Sequence, residues 1–483
     1  MKIKIIWAYT AIVINVLLNS FNAYSQTLNF AEIDKLINQY AQNGMFNGCV
    51  LAAEGSNVIY QGAYGLADFE NKTNLMIDDV FGLGSIAKQF TATGIMILIE
   101  KGEIEFNNKL IEFFPEFVDF ASEVTIHHLL THTSGLFDYL NEQGLELNNQ
   151  MKIITPKEAF DQILNSKRLK FKPGTNWSYS NSGYFLLSLI IEKVSGKFYH
   201  EFISEQIFIP LGMKSSSVNY HLDTVAINRI KSYEFQMESD WDLKLKVNGE
   251  SGLYSTVHDI LLWNQSLSSE KLLSEKSLNL IFQPTELNDG KKINYGFGWH
   301  IQQKENEKLV YHRGATAGFR CHNEYNLANE HSIIIFTNDA GMSEVFDISN
   351  NIRNILNNKP ITVKKRPLSN YLFDLWYLKG LKVTQDTIKH LLINGFKDRY
   401  SRSESRLNTL GYHFLESQNL NEALEIFKLI VKIFPQSANA FDSLGEAHLK
   451  AGNIENAIEN YEKSLRLDPE NLNVTEVLRF LKE

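Results

Sequence analysis

The chain has 483 residues, too many for one ordinary hydrophobic core, and its length points to two or three domains. With 44% hydrophobic and 21% charged residues it is a folding sequence, not a disordered one. A formal net charge of -9 and the lack of a dense basic patch argue against a nucleic-acid partner.

Residues 1–25 read as an export signal. Met1-Lys2-Ile3-Lys4 is basic, Ile5 to Leu18 is almost wholly apolar, and Ala23-Tyr24-Ser25 supplies a small-residue cleavage site ahead of Gln26. The apolar run is short for a membrane span, so the mature chain is expected to carry no integral membrane domain. Cys49 and Cys321 are the only cysteines. Export permits a disulfide between them, and two separate buried thiols fit the spacing equally well.

Asn47 to Gly55 followed by Val58 to Gly65 reads as a β-hairpin. Val80 to Gly84 reads as an extended segment ending in a turn, and Gln89 to Ile99 is apolar around most of a helix, as expected of a helix buried inside a domain. Ser85-Ile86-Ala87-Lys88 sits at that helix start. Three residues apart, the two side chains share a helical face, so the amine can act on the serine proton. The helix N-terminus favours developing negative charge there. A four-residue motif also fits an ordinary helix cap followed by a first-turn lysine.

Further along, Pro173-Gly174 forms a turn, and Tyr179-Ser180-Asn181 enters an apolar helix from Gly183 to Val194. A phenol and a carboxamide two apart on a loop can both face a cleft. Tyr295 to Trp299, Leu309 to His312 and Ser332 to Thr337 read as strands, with His312-Arg313-Gly314-Ala315 at a strand end where glycine permits close backbone approach. Strands at both ends with helices between predict one antiparallel sheet closed by the two termini around a helical insertion. His127, His128 and His132 invite a metal reading but match no recognised zinc pattern, so no metal and no cofactor are expected.

Pro360 to Pro367 reads as a connector, and Tyr371 to Phe396 as helical. Beyond it Leu410-Gly411 recurs as Leu444-Gly445, Ala423 as Ala457, Phe427 as Tyr461 and Pro435 as Pro469, each displaced by 34 residues. That is the tetratricopeptide signature. It predicts an all-α tail that either docks a protein or peptide partner or covers an apolar face of the first domain.

Taken together, Ser85-x-x-Lys88, Tyr179-x-Asn181 and His312-x-Gly314 resemble the three motifs of the serine beta-lactamase-like superfamily. That family includes class C beta-lactamases, D-alanyl-D-alanine carboxypeptidases, D-aminopeptidases and family VIII esterases. Ile126 to Leu136, Ser251 to Thr256 and Tyr295 to Trp299 resemble it too, and the likeness runs from about Leu28 to Asn358. It implies an α+β fold, an α/β sandwich with helices on both faces of an antiparallel sheet. The expected boundaries are 26–360 for the hydrolase domain, 361–403 for a helical linker or degenerate repeat, and 404–483 for the repeats.

The resemblance implies Ser85 as acylating nucleophile, Lys88 as its base and Tyr179 as the proton shuttle. Asn181 would hold the acyl side chain, and the Ser85 and Ala315 N–H groups would form the oxyanion hole beside Gly314. The chain departs from the family at His312, where beta-lactamases and carboxypeptidases usually carry lysine. Histidine keeps a donor but is mostly neutral at pH 7, so it holds a substrate carboxylate more weakly. The expectation is therefore an exported serine hydrolase, in a bacterial periplasm or secreted, acting on small esters, amides or D-amino-acid peptides. A penicillin-binding carboxypeptidase or beta-lactamase is the first alternative, and a non-catalytic peptide-binding scaffold the second.

Overall fold

The structure is a computed structural model that describes residues 29–140, 154–219, 229–239, 246–304, 307–316, 318–395 and 399–482; the expected export signal lies outside them. The chain divides into two compact units. One contains Phe46–Tyr233 and Glu238–Thr362 together with the chain up to Gln42, and the other contains Val363–Glu483 with the short segments Asn43–Met45 and Glu234–Met237.

In the first unit a helix over 29–42 (α1) precedes the predicted hairpin, β1 (Gly48–Glu54) and β2 (Asn57–Tyr64). Helices α2 (Ala87–Glu100), α3 (Asn181–Ser195) and α4 (Val257–Ser266) belong to the long insertion. The chain then returns through β3 (His300–Lys304), β4 (Glu307–Thr316), β5 (Phe319–Asn326), β6 (His331–Thr337) and α5 (Val345–Leu356). These strands form a six-stranded antiparallel sheet in the order β3-β4-β5-β6-β1-β2, so β6 near the end of the unit pairs with β1 near its start. Both faces are covered. Asn323 on β5 bonds Asn264 of α4, whereas the next residue, Glu324, bonds Ser349 and Arg353 of α5. Successive strand residues point to opposite faces, so α4 and α5 lie on opposite sides of the sheet. Tyr40 bonds Asp347 and Asn351, which sets α1 beside α5.

Glu324 shows what holds the α5 side. Burial pushes its carboxyl up, but the His322 ring and the Arg353 guanidinium outweigh that and hold it at about 2. The Glu324–Arg353 pair thus stays charged across the ordinary pH range.

The two cysteines do not pair: both are free and buried. Cys49 on β1 and Cys321 on β5 each register with Phe336 on β6, which stands between them. Two strand spacings separate them, about 9.5 Å, beyond the reach of a disulfide.

The sequence expectation fails at Tyr295 to Trp299, which is not a strand. The segment makes a single bridge at Tyr295 and then turns, and β3 begins only at His300. The glycines explain the turn. Gly298 has φ +79°, and a Cβ there would lie 2.8 Å from the Lys88 carbonyl oxygen, while one on Gly296 would lie 2.0 Å from that of Ile281.

In the second unit α6 (Leu368–Asn394) is interrupted at Gly380, whose backbone is not helical. Then come α7 (Glu404–Glu416), α8 (Leu420–Ile433), α9 (Ala438–Lys450), α10 (Ile454–Leu467) and α11 (Leu472–Lys482). The 34-residue offset becomes a repeated contact. Gly411 on α7 sits under the Phe427 ring of α8, and Gly445 on α9 under the Tyr461 ring of α10. A Cβ on Gly445 would lie 2.9 Å from the Tyr461 ring, so the ring or the helix must shift. Gly445→Ala is expected to destabilise this unit by about 1–3 kcal/mol, read as an earlier transition when helical signal is followed during urea unfolding of the full chain.

Candidate active site

Ser85 is positioned by backbone crowding. The short strand Phe81–Gly82 pairs with Leu253–Ser255, and the chain then turns through Gly84, at φ +51°, into a 3-10 turn over Gly84–Ile86 that leads into α2. A Cβ on Gly84 would stand 2.7 Å from the Ala315 amide nitrogen, and one on Gly314 would stand 1.9 Å from the Leu83 carbonyl oxygen. Only glycine permits this approach of β4 to the serine turn. β3 pairs with β4 no further than Tyr311, so among the described residues the β4 edge beside Ser85 has no strand partner on that side.

Lys88 follows within the first turn of α2, and its Nζ lies 3.1 Å from Ser85 Oγ. It also donates to Asn181 Oδ1 and to the Glu250 carbonyl oxygen, both at 2.9 Å. The side chain has no exposed surface. Burial drives its pKa down from 10.5 to about 7, against the opposing pull of the Glu250 and Asp138 carboxylates. An amine near neutrality can take a hydroxyl proton at physiological pH, which a free lysine with pKa about 10.4 does poorly.

Tyr179 completes the group. Its ring centroid is 4.8 Å from Lys88 Nζ, and its hydroxyl is hydrogen-bonded to Ser85. Burial raises the phenol's pKa, so it stays protonated and acts as a donor. The loop carrying it is tied down by His132, whose Nδ1 accepts from the Ser180 N–H at 3.1 Å and whose ring lies 4.4 Å from that of Tyr179. Ser180 in turn caps α3, accepting from the Gly183 N–H.

Asn181 is engaged at both ends of its carboxamide. Its oxygen accepts from Lys88, and its Nδ2 donates to Asp138 at 3.2 Å. His312 is buried and its pKa is pushed well below the usual value, chiefly by desolvation. Its Nδ1 meets the Arg313 carbonyl oxygen at 2.7 Å, so that nitrogen carries the proton. Its Nε2 then accepts from the Tyr295 hydroxyl at 3.2 Å. The single donor of this neutral ring is used internally, and it offers neither charge nor N–H to a substrate carboxylate. Arg313 turns the other way, with its guanidinium 4.0 Å from the Phe346 ring centroid.

Glu250, Asp138 and Tyr139 were not singled out from the sequence. Glu250 lies one residue ahead of Ser251-Gly252-Leu253, and Asp138-Tyr139 follows Ser134-Gly135-Leu136, so the only signal was an acid next to each supporting stretch. A cavity of about 20 Å³ lined by Gly84, Ser251, Gly252 and Thr316 lies next to the serine turn. Larger hollows of about 480 and 670 Å³ lie elsewhere and are lined by none of Ser85, Lys88, Tyr179, Asn181 or His312. Among the described residues no three His, Cys, Asp or Glu side chains converge to hold a metal. His128 is bonded to Thr125 and His132 to Ser180.

Residues 33–356 match the beta-lactamase family model. The chain belongs to the beta-lactamase family. It is thereby a serine hydrolase, and residues 438–471 match the tetratricopeptide repeat. It is 32% identical over 353 residues to penicillin-binding protein 4* of Bacillus subtilis, covering 69% of this chain and 78% of that protein. It is 26% identical to a D-aminopeptidase of Brucella anthropi, covering 62% of this chain and 57% of the relative, so it spans little more than half of that enzyme. Among solved structures it resembles the octameric penicillin-binding protein homologue from Pyrococcus abyssi, with 25% identity and a TM-score of 0.56 over 68% of this chain and 77% of that one. In fold it also resembles the D-amino acid amidase of Ochrobactrum anthropi SV3, with 21% identity and a TM-score of 0.58 over 68% of this chain and 97% of that one.

If Lys88 serves as the base, the rate of Ser85 acylation rises with pH as the amine loses its proton. It is expected to fall about tenfold per pH unit below about 7, measured as the labelling rate with a fluorophosphonate. Lys88→Met is then expected to abolish both the labelling and its pH-dependent limb.

Proposed function

We propose that this protein is an exported hydrolase that cleaves small esters, amides or D-amino-acid peptides through a Ser85 acyl-enzyme. The observation that carries the reading is the 3.1 Å contact between a fully buried amine and a serine hydroxyl at a helix start. In the first step the Ser85 proton passes to Lys88 as Oγ attacks the substrate carbonyl carbon. The carbonyl oxygen becomes an oxyanion facing the Ser85 and Ala315 N–H groups, each of which is worth about 2.7–4 kcal/mol in such a hole. Tyr179 relays the proton to the departing alcohol or amine. Water then attacks the acyl-enzyme by the same route and frees Ser85.

The neutral, internally bonded His312 favours substrates without a carboxylate at that position, hence esters and amides over penicillins. The 32% identity to penicillin-binding protein 4* supports the second reading, a penicillin-binding carboxypeptidase. We also propose cleavage of the leader after Ser25, a periplasmic or secreted location, and a peptide partner for the C-terminal repeats.

The test is covalent labelling of the purified protein. Ser85 is expected to react with a fluorophosphonate and Ser85→Ala to remain unlabelled, while p-nitrophenyl esters turn over faster than nitrocefin. Failure of the parent to label overturns the hydrolase reading. Efficient nitrocefin hydrolysis replaces the ester reading with the beta-lactam one.

A further inference from the structure

A neutral lysine amine has two N–H bonds and one lone pair, and only the lone pair can take the serine proton. At Lys88 the three neighbours of Nζ are Ser85 Oγ, Asn181 Oδ1 and the Glu250 carbonyl oxygen. The last two can only accept. If both keep their places, they take the two N–H bonds and leave the lone pair facing Ser85.

Neither acceptor holds its place unaided. A carboxamide can turn over, and a turned Asn181 would present NH₂ to Lys88. Asp138 prevents this, because its carboxylate accepts from Asn181 Nδ2 at 3.2 Å and from the Asn181 backbone N–H at 3.0 Å. The next residue, Tyr139, donates its hydroxyl to Glu250 Oε1, and its own backbone N–H donates to Ser182 Oγ at 3.0 Å. Asp138 and Tyr139 are both essentially unexposed. Among the described residues the other oxygen of Glu250 is buried with no hydrogen-bond partner, and the Tyr139 hydroxyl is the side chain that donates to that carboxyl group.

We propose that Asp138 and Tyr139 form a two-residue clamp that aims the Lys88 lone pair at Ser85, Asp138 by fixing the Asn181 oxygen toward the amine and Tyr139 by fixing Glu250. Both are positioning residues, and the inference rests on the Ser85 acyl-enzyme reading above. The ionisable groups around Lys88 are the Asp138 and Glu250 carboxylates, the Tyr179 and Tyr184 phenols, and the His132 and His312 rings. Of these, Asp138 and Glu250 hold the amine protonated, and burial opposes them. Neutralising either acid therefore moves the acid limb of the rate to lower pH.

The experiment compares the parent, Asp138→Asn and Tyr139→Phe in the full chain. It follows the fluorophosphonate labelling rate against pH, steady-state kcat and KM on a p-nitrophenyl ester, and thermal unfolding. Asp138→Asn is expected to lower the plateau rate about 100-fold with KM within about twofold, and to move the limb to lower pH. Tyr139→Phe is expected to lower the plateau about tenfold; without the hydroxyl that holds its pKa down, the Glu250 carboxyl takes up a proton more readily, which moves the limb the same way. Labelling at the parental rate in both variants overturns the clamp while leaving the hydrolase reading intact. So does a loss that merely tracks the unfolded fraction with the limb unmoved. If Asp138→Asn does not fold, Tyr139→Phe decides alone. If the parent itself does not label, the hydrolase reading fails and the clamp with it.

Discussion

The site depends on the burial of one amine. An isolated ammonium taken out of water is held at a penalty of several kcal/mol, and a protein either neutralises it or surrounds it with acceptors. Here both occur around Lys88. Desolvation brings the amine to the edge of deprotonation, and two fixed oxygens plus the serine hydroxyl accept whatever protons it carries. The same burial explains why α2 is buried nearly throughout, Gln89, Thr91 and Thr93 included: it runs through the interior and brings that amine to the half-buried serine.

The sheet supplies the other half of the arrangement. Its open β4 edge meets the serine turn through two glycines, so a strand end and a helix start face the same point. Substituents on either backbone would push them apart. The backbone of both segments is fixed before any substrate arrives, which is the condition under which backbone N–H groups stabilise developing charge most effectively.

The readable and unreadable parts of this molecule differ in sequence distance. Ser85 and Lys88 were legible together because helical spacing alone puts them on one face, and the 34-residue offset was legible because each repeat reuses one glycine-under-ring contact. The hairpin and the closing strand of the sheet followed from alternation and turn residues. Asp138, Tyr139 and Glu250 were not legible, since their meaning arises only where loops far apart in the chain meet behind Lys88. Tyr295 to Trp299 looked like a strand because aromatic residues dominate it, yet its glycines bend it against the carbonyls of Lys88 and Ile281. The identity of His312 was visible from the start, whereas its proton location required knowing that a carbonyl oxygen faces one ring nitrogen.

The position of Phe336 between Cys49 and Cys321 has a consequence for biogenesis. In the finished sheet the thiols sit one on each side of β6 and are sealed from oxidants. In a chain still unfolded they are free to meet, and a bond made then would draw β1 and β5 together and leave β6 no slot. Were the chain to fold in an oxidising compartment, the central strand would have to insert before the sulfurs are joined.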